Sequence, residues 1–379
     1  MSSSQELYNR LNKKLRELVS VKNGKQVTNW IWIIVGILQS QSPSLSKIAN
    51  CLPMKTKAAA RVTLIRRWLM NPHVKVWRFY KKVLEHVLCG WSTVEACIIL
   101  DGVIVFGDRW QIFRVSLLHG CRAIPIAWTI VEGKGLVKVT RLKSMLDKVQ
   151  RFLKRYVKRV TFLADAGFRD CDWAQLCEKL GWNYAIRVAH NTYITLPDGT
   201  FDRLDNLVPE NCNRYFQNVL LTRETKLRTN VSVTWTTDQK GKPEMVAIIT
   251  DQIACRARLR EYRGRMSIEQ SFRDDKSGGF DMEHMRLQHA QRIDHLLLAI
   301  AIATLWCHEL GELVLKQGDN SRCQVDPAHK RTLSLFQLGL RWLKRCLATG
   351  LHILPDFQAI LSNLKLKPVA IPVTLNSNV

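Results

Sequence analysis

The spacing of apolar residues changes character several times along the chain. Up to about residue 90, apolar positions recur at helical intervals among many cations. "SPSLSKIANCL" offers Ser44 as N-cap of a short helix with Leu45, Ile48 and Leu52 on one side. Pro53 breaks that helix, and "TKAAARVTLIRRWLMN" follows as an amphipathic helix from near Thr56. Near residue 95 the residues become β-branched and apolar. "ACIILDGVIVF", "WQIFRVSLLHG" and "RAIPIAWTIVEG" predict three short-linked strands in an antiparallel meander. A basic helix "VTRLKSMLDKVQRFLKRYVKR", a strand "VTFLADAGF", a helix ending at Gly181 and a strand "WNYAIRVA" come next.

From about 190 to 250 the pattern stays β-like. "TYITLPDGTFDRL" carries a Pro-Asp-Gly turn, and "VSVTWTTDQKGKPEMVAIIT" predicts a hairpin around Lys240 and Gly241. One helix is expected over "YRGRMSIEQSFRDDK", then a buried apolar helix over 293–315. A basic amphipathic helix "LFQLGLRWLKRCLATG" and a Pro-containing, poorly ordered tail close the chain. The apolar runs "WIWIIVGIL" and "LLLAIAIATLW" fall short of the roughly 20 residues that span a bilayer, so both are expected as buried helices and no membrane partner is expected.

The order β-β-β-α-β-α-β is that of an RNase H-like domain, a fold-level analogy that says nothing by itself about activity. The expected fold is mixed α+β and α/β: an RNase H-like mixed five-stranded sheet with a β-rich insertion, preceded by an all-α DNA-binding domain. Its expected parts are a helical domain over 1–92, a first core part over 93–190, the insertion over 191–252, a second core part over 253–315 and a helical region over 316–379.

Fifty-seven Lys and Arg against 32 Asp and Glu give a net charge of +25. That excess points to a polyanionic partner and favours nucleic acid, although a ribosomal or membrane-surface protein would share it. The 11 cysteines form no CxxC pair and the ten histidines no HExxH pattern, which argues against zinc. With no secretory apolar core in "MSSSQELYNR", reduced thiols and a cytoplasmic location are expected. Cys307 and His308 read as a packed core pair.

Candidate chemistry follows from polar residues in unexpected places. The helices around Pro53 make a possible helix-turn-helix, with Lys55, Lys57, Arg61, Arg66 and Arg67 near DNA; a plain bundle with a basic face fits equally well. Asp101 interrupts "CIILDGVIV", where a carboxylate needs a cation, a donor or a proton. Asp165 ends the apolar run "VTFLAD", at the carboxyl end of a strand. Either alone could be an ordinary loop contact, but on neighbouring strands the two would converge. Tyr262, Arg265, Glu269 and Lys276 stand 3, 4 and 7 residues apart, within about 60° on one helical face. A solvated face with an i,i+4 Arg265–Glu269 pair is the simple explanation. Together, Asp101, Asp165 and Glu269 would make an all-oxygen site suited to Mg²⁺ or Mn²⁺, with two ions available for in-line phosphoryl displacement.

The spacing Y-x-x-R-x-x-x-E-x-x-x-x-x-x-K, with "LDGV" around Asp101 and "LADAGF" around Asp165, resembles bacterial insertion-sequence DDE transposases of family four. The acids lie 64 (165 − 101) and 104 (269 − 165) residues apart, the longer gap accommodating a β-rich insertion. Gly102 departs from relatives that often carry a small hydroxyl residue there. The resemblance implies metal-holding roles for Asp101, Asp165 and Glu269, and DNA phosphate contacts for Tyr262, Arg265 and Lys276, with Arg273 on the same helix. It implies that Trp235 is the candidate to stack a flipped base, against an ordinary packing role. It further implies cut-and-paste transposition on double-stranded terminal inverted repeats, two Mg²⁺ per site, a dimer on DNA and a bacterial, nucleoid-associated setting. Another RNase H-like nuclease or resolvase, or a domesticated binding protein, are the alternatives.

Overall fold

The computed structural model describes residues 3–350, apart from 22, 120, 121, 170, 222–226, 239, 277, 283 and 284. The tail beyond 350, expected to be poorly ordered, lies outside the described residues. Five helices come first: α1 (Ser3–Leu18), α2 (Gly24–Ser40), α3 (Leu45–Asn50), α4 (Ala58–Leu69) and α5 (Val76–Val87). Ser44 flanks α3 as expected, and Lys57 rather than Thr56 flanks α4.

The meander follows as β1 (Thr93–Val105), β2 (Trp110–His119) and β3 (Arg122–Glu132), paired antiparallel in sequence. Next come α6 (Val139–Leu153), β4 (Val157–Ala164), a 3₁₀ turn over Ala166–Phe168, α7 (Cys171–Leu180) and β5 (Asn183–Val188). α6 is shorter than its basic pattern, because Val157 already belongs to β4. β4 pairs parallel with both β1 and β5, so β1 and β4 are neighbours with Leu100 opposite Ala164. That register puts the carboxyl end of β4 beside the middle of β1.

The insertion contributes β6 (Tyr193–Thr195), β7 (Phe201–Arg203), the short α8 (Leu204–Leu207), β8 (Arg214–Leu221), β9 (Leu227–Thr237) and β10 (Pro243–Thr250). These strands extend the core sheet. β10 returns beside β5, with Ala247 opposite Val188, and one mixed sheet of ten strands runs β3-β2-β1-β4-β5-β10-β9-β8-β6-β7.

The remaining helices are α9 (Arg256–Arg263), α10 (Met266–Asp275), α11 (Ala290–Lys316), α12 (Asp319–Cys323) and α13 (Leu335–Thr349). α11 is long and apolar enough to cross a membrane, yet 94% of its most apolar window is buried inside the protein. A helix apolar on every side is a core helix when other elements surround it. Gly339 of α13 lets the two backbones touch, since a Cβ there would stand 1.8 Å from the Cys307 carbonyl oxygen. The amino-terminal helices share this core: one apolar cluster runs from Leu7 to Cys346, and Tyr80 of α5 donates to the Pro125 carbonyl of β3 at 2.6 Å.

Candidate active site

Asp101 sits mid-way along β1, and Asp165 immediately follows β4. Because the two strands are parallel neighbours, the sheet itself brings the acids together. Asp165 caps the 3₁₀ turn, its Oδ1 accepting from the Gly167 amide at 2.8 Å. Asp101 accepts from the Gly102 amide at 2.7 Å through Oδ1, leaving Oδ2 for another partner.

That partner is Arg265, whose Nη1 donates to Asp101 Oδ2 at 3.2 Å while its Nη2 donates to Glu269 Oε1. One guanidinium therefore bridges the acid of β1 and the acid of α10. The bridge is buried at its Asp101 end and open at its Glu269 end, with the Arg265 side chain 9% exposed, Asp101 14% and Glu269 39%. Burial pushes the Asp101 carboxyl up to about 6; Arg265 and the Gly102 amide pull it down, while Asp165 and Glu269 push it further up. Burial works against the Arg265 cation, but Tyr262, Glu269, Asp101 and Asp165 outweigh it and its pKa is raised. All three acids thus lie within electrostatic reach of one another.

The single helix expected over Tyr262 to Lys276 is two. Gly264 and Arg265 separate α9 from α10, with Gly264 N bonded to Glu261 O at 3.0 Å and Arg265 N to Tyr262 O at 2.9 Å. These are i→i−3 bonds, the tighter winding of a 3₁₀ turn. Gly264 packs against β2, where a Cβ would lie 2.4 Å from Leu118 Cδ2. Residues three apart eclipse in such a turn, which brings the Arg265 guanidinium to 5.9 Å from the centre of the Tyr262 ring. Burial pushes the Tyr262 hydroxyl up to about 12, with Arg265 and Arg187 opposing.

Arg114 of β2, opposite Asp101 in the β1–β2 register, fixes the other half of α10. Its Nη1 pairs with Asp275, its Nη2 donates to Ser271 Oγ at 2.8 Å, and its guanidinium lies 4.2 Å from the centre of the Phe272 ring. Arg187 of β5, paired with Glu244, lines a cavity of about 440 Å³ together with Trp235, Met245, His190 and Ala166. Ala166, which lines it, directly follows Asp165 in the chain. The Trp235 Nε1 is buried without a hydrogen-bond partner. Neither Arg114 nor Arg187 was singled out by the sequence reading, although each interrupts an apolar strand as Asp101 does.

The other expected site residues lie at the end of α10 and on the amino-terminal helices. Lys276 is past the last turn of α10 and lines a small cavity together with Val103 and Val105 of β1. Arg273 is exposed on α10. On the amino-terminal helices Lys55, Lys57, Arg66 and Arg67 are exposed, and Arg67 lines a groove of about 620 Å³ with Lys25, Asn29 and Trp68. Arg61 lines the same groove and is held by backbone carbonyls. It donates to the carbonyls of Ala49 at 2.8 Å, Met54 at 3.2 Å and Thr56, and so ties the α3–α4 connection together.

Among the described residues no three His, Cys, Asp or Glu side chains gather closely enough to hold a metal ion. The three acids have the hard-oxygen chemistry that a divalent cation takes. Two of them, however, are held by Arg265, and a metal ion fits only where that guanidinium yields its carboxylate contacts. The ten cysteines among the described residues are free thiols, and Cys307 and His308 lie in the core.

Residues 138–306 match the family described as "Transposase DDE domain". The match includes Asp165, Arg265 and Glu269 and stops short of Asp101. No curated protein matches the chain. Among solved structures, the chain is similar to the cryo-EM structure of a piggyBac transposase synaptic complex with hairpin DNA (SNHP). The identity is 11% over 97% of this chain and 83% of that chain, with a TM-score of 0.43.

Proposed function

We propose that this chain is a DDE-type DNA transposase with an RNase H-like core, acting on the terminal inverted repeats of its own insertion sequence by cleavage and strand transfer. The reading rests most on one observation: one buried arginine bridges Asp101 of β1 and Glu269 of α10, and Asp165 ends β4, the parallel neighbour of β1. The matched transposase domain supports it, as does the net charge of +25, which suits a DNA partner.

In this reading Asp101, Asp165 and Glu269 would hold Mg²⁺, with Mn²⁺ as substitute and two ions expected per site. When bound, the ions supply Lewis-acid polarisation of the attacked phosphate and of the attacking water or 3′-hydroxyl. The chain's own residues orient and exclude. Asp165 is fixed by the Gly167 amide and Asp101 by that of Gly102, so neither carboxylate swings freely. Arg114 holds α10, and with it Glu269, against β2. Tyr262, Arg265, Arg273 and Lys276 would meet phosphates of the transferred end, contacts that fix register without reading bases. The cavity lined by Ala166 has room for a flipped nucleotide on Trp235. Lys57, Arg66 and Arg67 would meet the duplex further out. The expected partners are transposon ends, target DNA and a second copy of the chain on DNA, in a bacterial cytoplasm.

The deciding experiment is strand cleavage of the DNA flanking the gene with Mg²⁺ or Mn²⁺, comparing wild type with Asp165→Asn. Metal-dependent nicking at a repeat end, lost in the variant with binding retained, would support the proposal. Cutting that ignores repeat ends would favour a nuclease or resolvase, and binding without cutting a domesticated protein.

A further inference from the structure

Arg265 occupies the place between Asp101 and Glu269 where a cation would neutralise both. Its Nη1 and Nη2 each hold one carboxylate, its side chain is almost wholly buried, and its Nε is buried with no partner. A guanidinium so placed satisfies the two acids by charge and hydrogen bonds together, as a charge-assisted pair does. It also blocks them, because a carboxylate oxygen that accepts a hydrogen bond from the guanidinium is not free for a metal ion. A phosphate is the ligand that could take Arg265 in exchange: guanidinium matches phosphate as well as carboxylate.

We infer that Arg265 is a resident counter-cation which keeps divalent ions off Asp101 and Glu269 until a DNA phosphate draws it away, so that metal and DNA end load together. The inference rests on the proposed transposase site and adds an order of binding to it. Three features make the exchange feasible. Arg265 stands at a helix junction and not within a helix, and the 3₁₀ turn around Gly264 is where the chain can re-aim it. Glu269, 39% exposed, opens the site to an arriving phosphate. Asp165, whose Oδ1 accepts from the Gly167 amide, stands as the third carboxylate. The coupling is reciprocal: if a phosphate raises metal affinity, bound metal must raise phosphate affinity by the same factor.

The test is Mn²⁺ binding to the full chain, followed by the EPR signal of free Mn²⁺, with and without a duplex bearing the gene's own terminal sequence. Wild type is compared with Arg265→Met, which removes the charge and keeps much of the volume, and with Arg265→Lys, which keeps the charge. Asp101→Asn with Glu269→Gln defines sites unrelated to the acids. Circular dichroism and thermal unfolding check each variant's fold. The expected result is weak Mn²⁺ binding by DNA-free wild type, strengthened about tenfold or more by DNA or by Arg265→Met, as the loss of charged hydrogen bonds implies. Arg265→Lys should stay near wild type, and DNA should no longer strengthen binding in Arg265→Met. Equal affinities in wild type and Arg265→Met, both abolished by the acid variant, would overturn the exchange and leave the metal-site reading intact. No acid-dependent Mn²⁺ binding in any protein, even with DNA, would overturn both.

Discussion

Replacing Arg114 by methionine removes a buried cation and strands a buried anion. The pair is closed on both sides, with side-chain exposures of 8% for Arg114 and 4% for Asp275. Burial already raises the Asp275 carboxyl against the opposing pull of Arg114. Breaking such a pair from one side costs about 3–5 kcal/mol, whereas replacing both partners by apolar residues is often neutral or stabilising. Arg114→Met and Asp275→Leu should therefore each destabilise strongly, and the double variant should return to within about 1 kcal/mol of wild type by the same reasoning. Urea unfolding of the four proteins measures the coupling. The double variant also separates stability from positioning, because Arg114 touches α10 at Ser271, Phe272 and Asp275, within two turns after Glu269. If those contacts set where Glu269 points, a shift of about 1 Å would lower end cleavage by roughly a hundredfold in a protein that unfolds normally. Single effects that add within about 0.5 kcal/mol would refute the buried-pair argument. Full cleavage by a stable double variant would refute the positioning argument.

Arg61→Ala should lower stability by roughly 1–3 kcal/mol, because it leaves backbone carbonyls at the α3–α4 connection without their donor. Arg67→Ala should instead leave stability unchanged and reduce the salt dependence of DNA binding by about one unit of slope. Gly339→Ala should prevent α13 from seating on α11, seen as loss of cooperative unfolding, since its Cβ would stand 1.8 Å from a backbone oxygen. Asp274, raised to about 7 mainly by burial, holds its proton in the fold where the unfolded chain loses it at about 4. Its contribution is full below about pH 4 and disappears as pH rises through about 7. Asp274→Asn should thus flatten the decline of unfolding free energy across that window, measured as the difference from wild type so that the similarly raised Asp101 cancels.

The core strands were legible because burial on both faces demands continuous apolar runs, and that demand is local. The same rule exposed Asp101 and Asp165, each a charge that an apolar strand would not otherwise carry. It applied equally to Arg114 and Arg187, but cations with long apolar stems are easily read as snorkelling surface residues. Three features were set by contacts distant in sequence. The pairing of β10 with β5 joins Ala247 to Val188 and turns the insertion into a continuation of the sheet. The break at Gly264 depends on Leu118 of β2, and nothing in "REYRGRMSIEQ" announces a tertiary contact. Arg61 had the composition of a DNA-contacting residue, and its partners lie five to twelve residues back along a turn whose shape no periodicity encodes.

The expected i,i+4 ion pair of Arg265 and Glu269 is present in the structure, and burial decides what it means. Two such residues on a solvated face would contribute a few tenths of a kcal/mol and matter little. Here the arginine is 9% exposed and also bonded to Asp101, 164 residues away in sequence. Taking the Arg265 guanidinium and the Asp101 carboxylate largely out of water costs several kcal/mol per ion before any attraction is counted, and apolar residues of similar volume would often be at least as stable. Stability alone therefore does not account for placing these charges at the junction of β1, β4 and α10. A site that trades one cation for another does account for it: the acids must be buried to hold a ligand firmly, and something positive must accompany them when that ligand is absent.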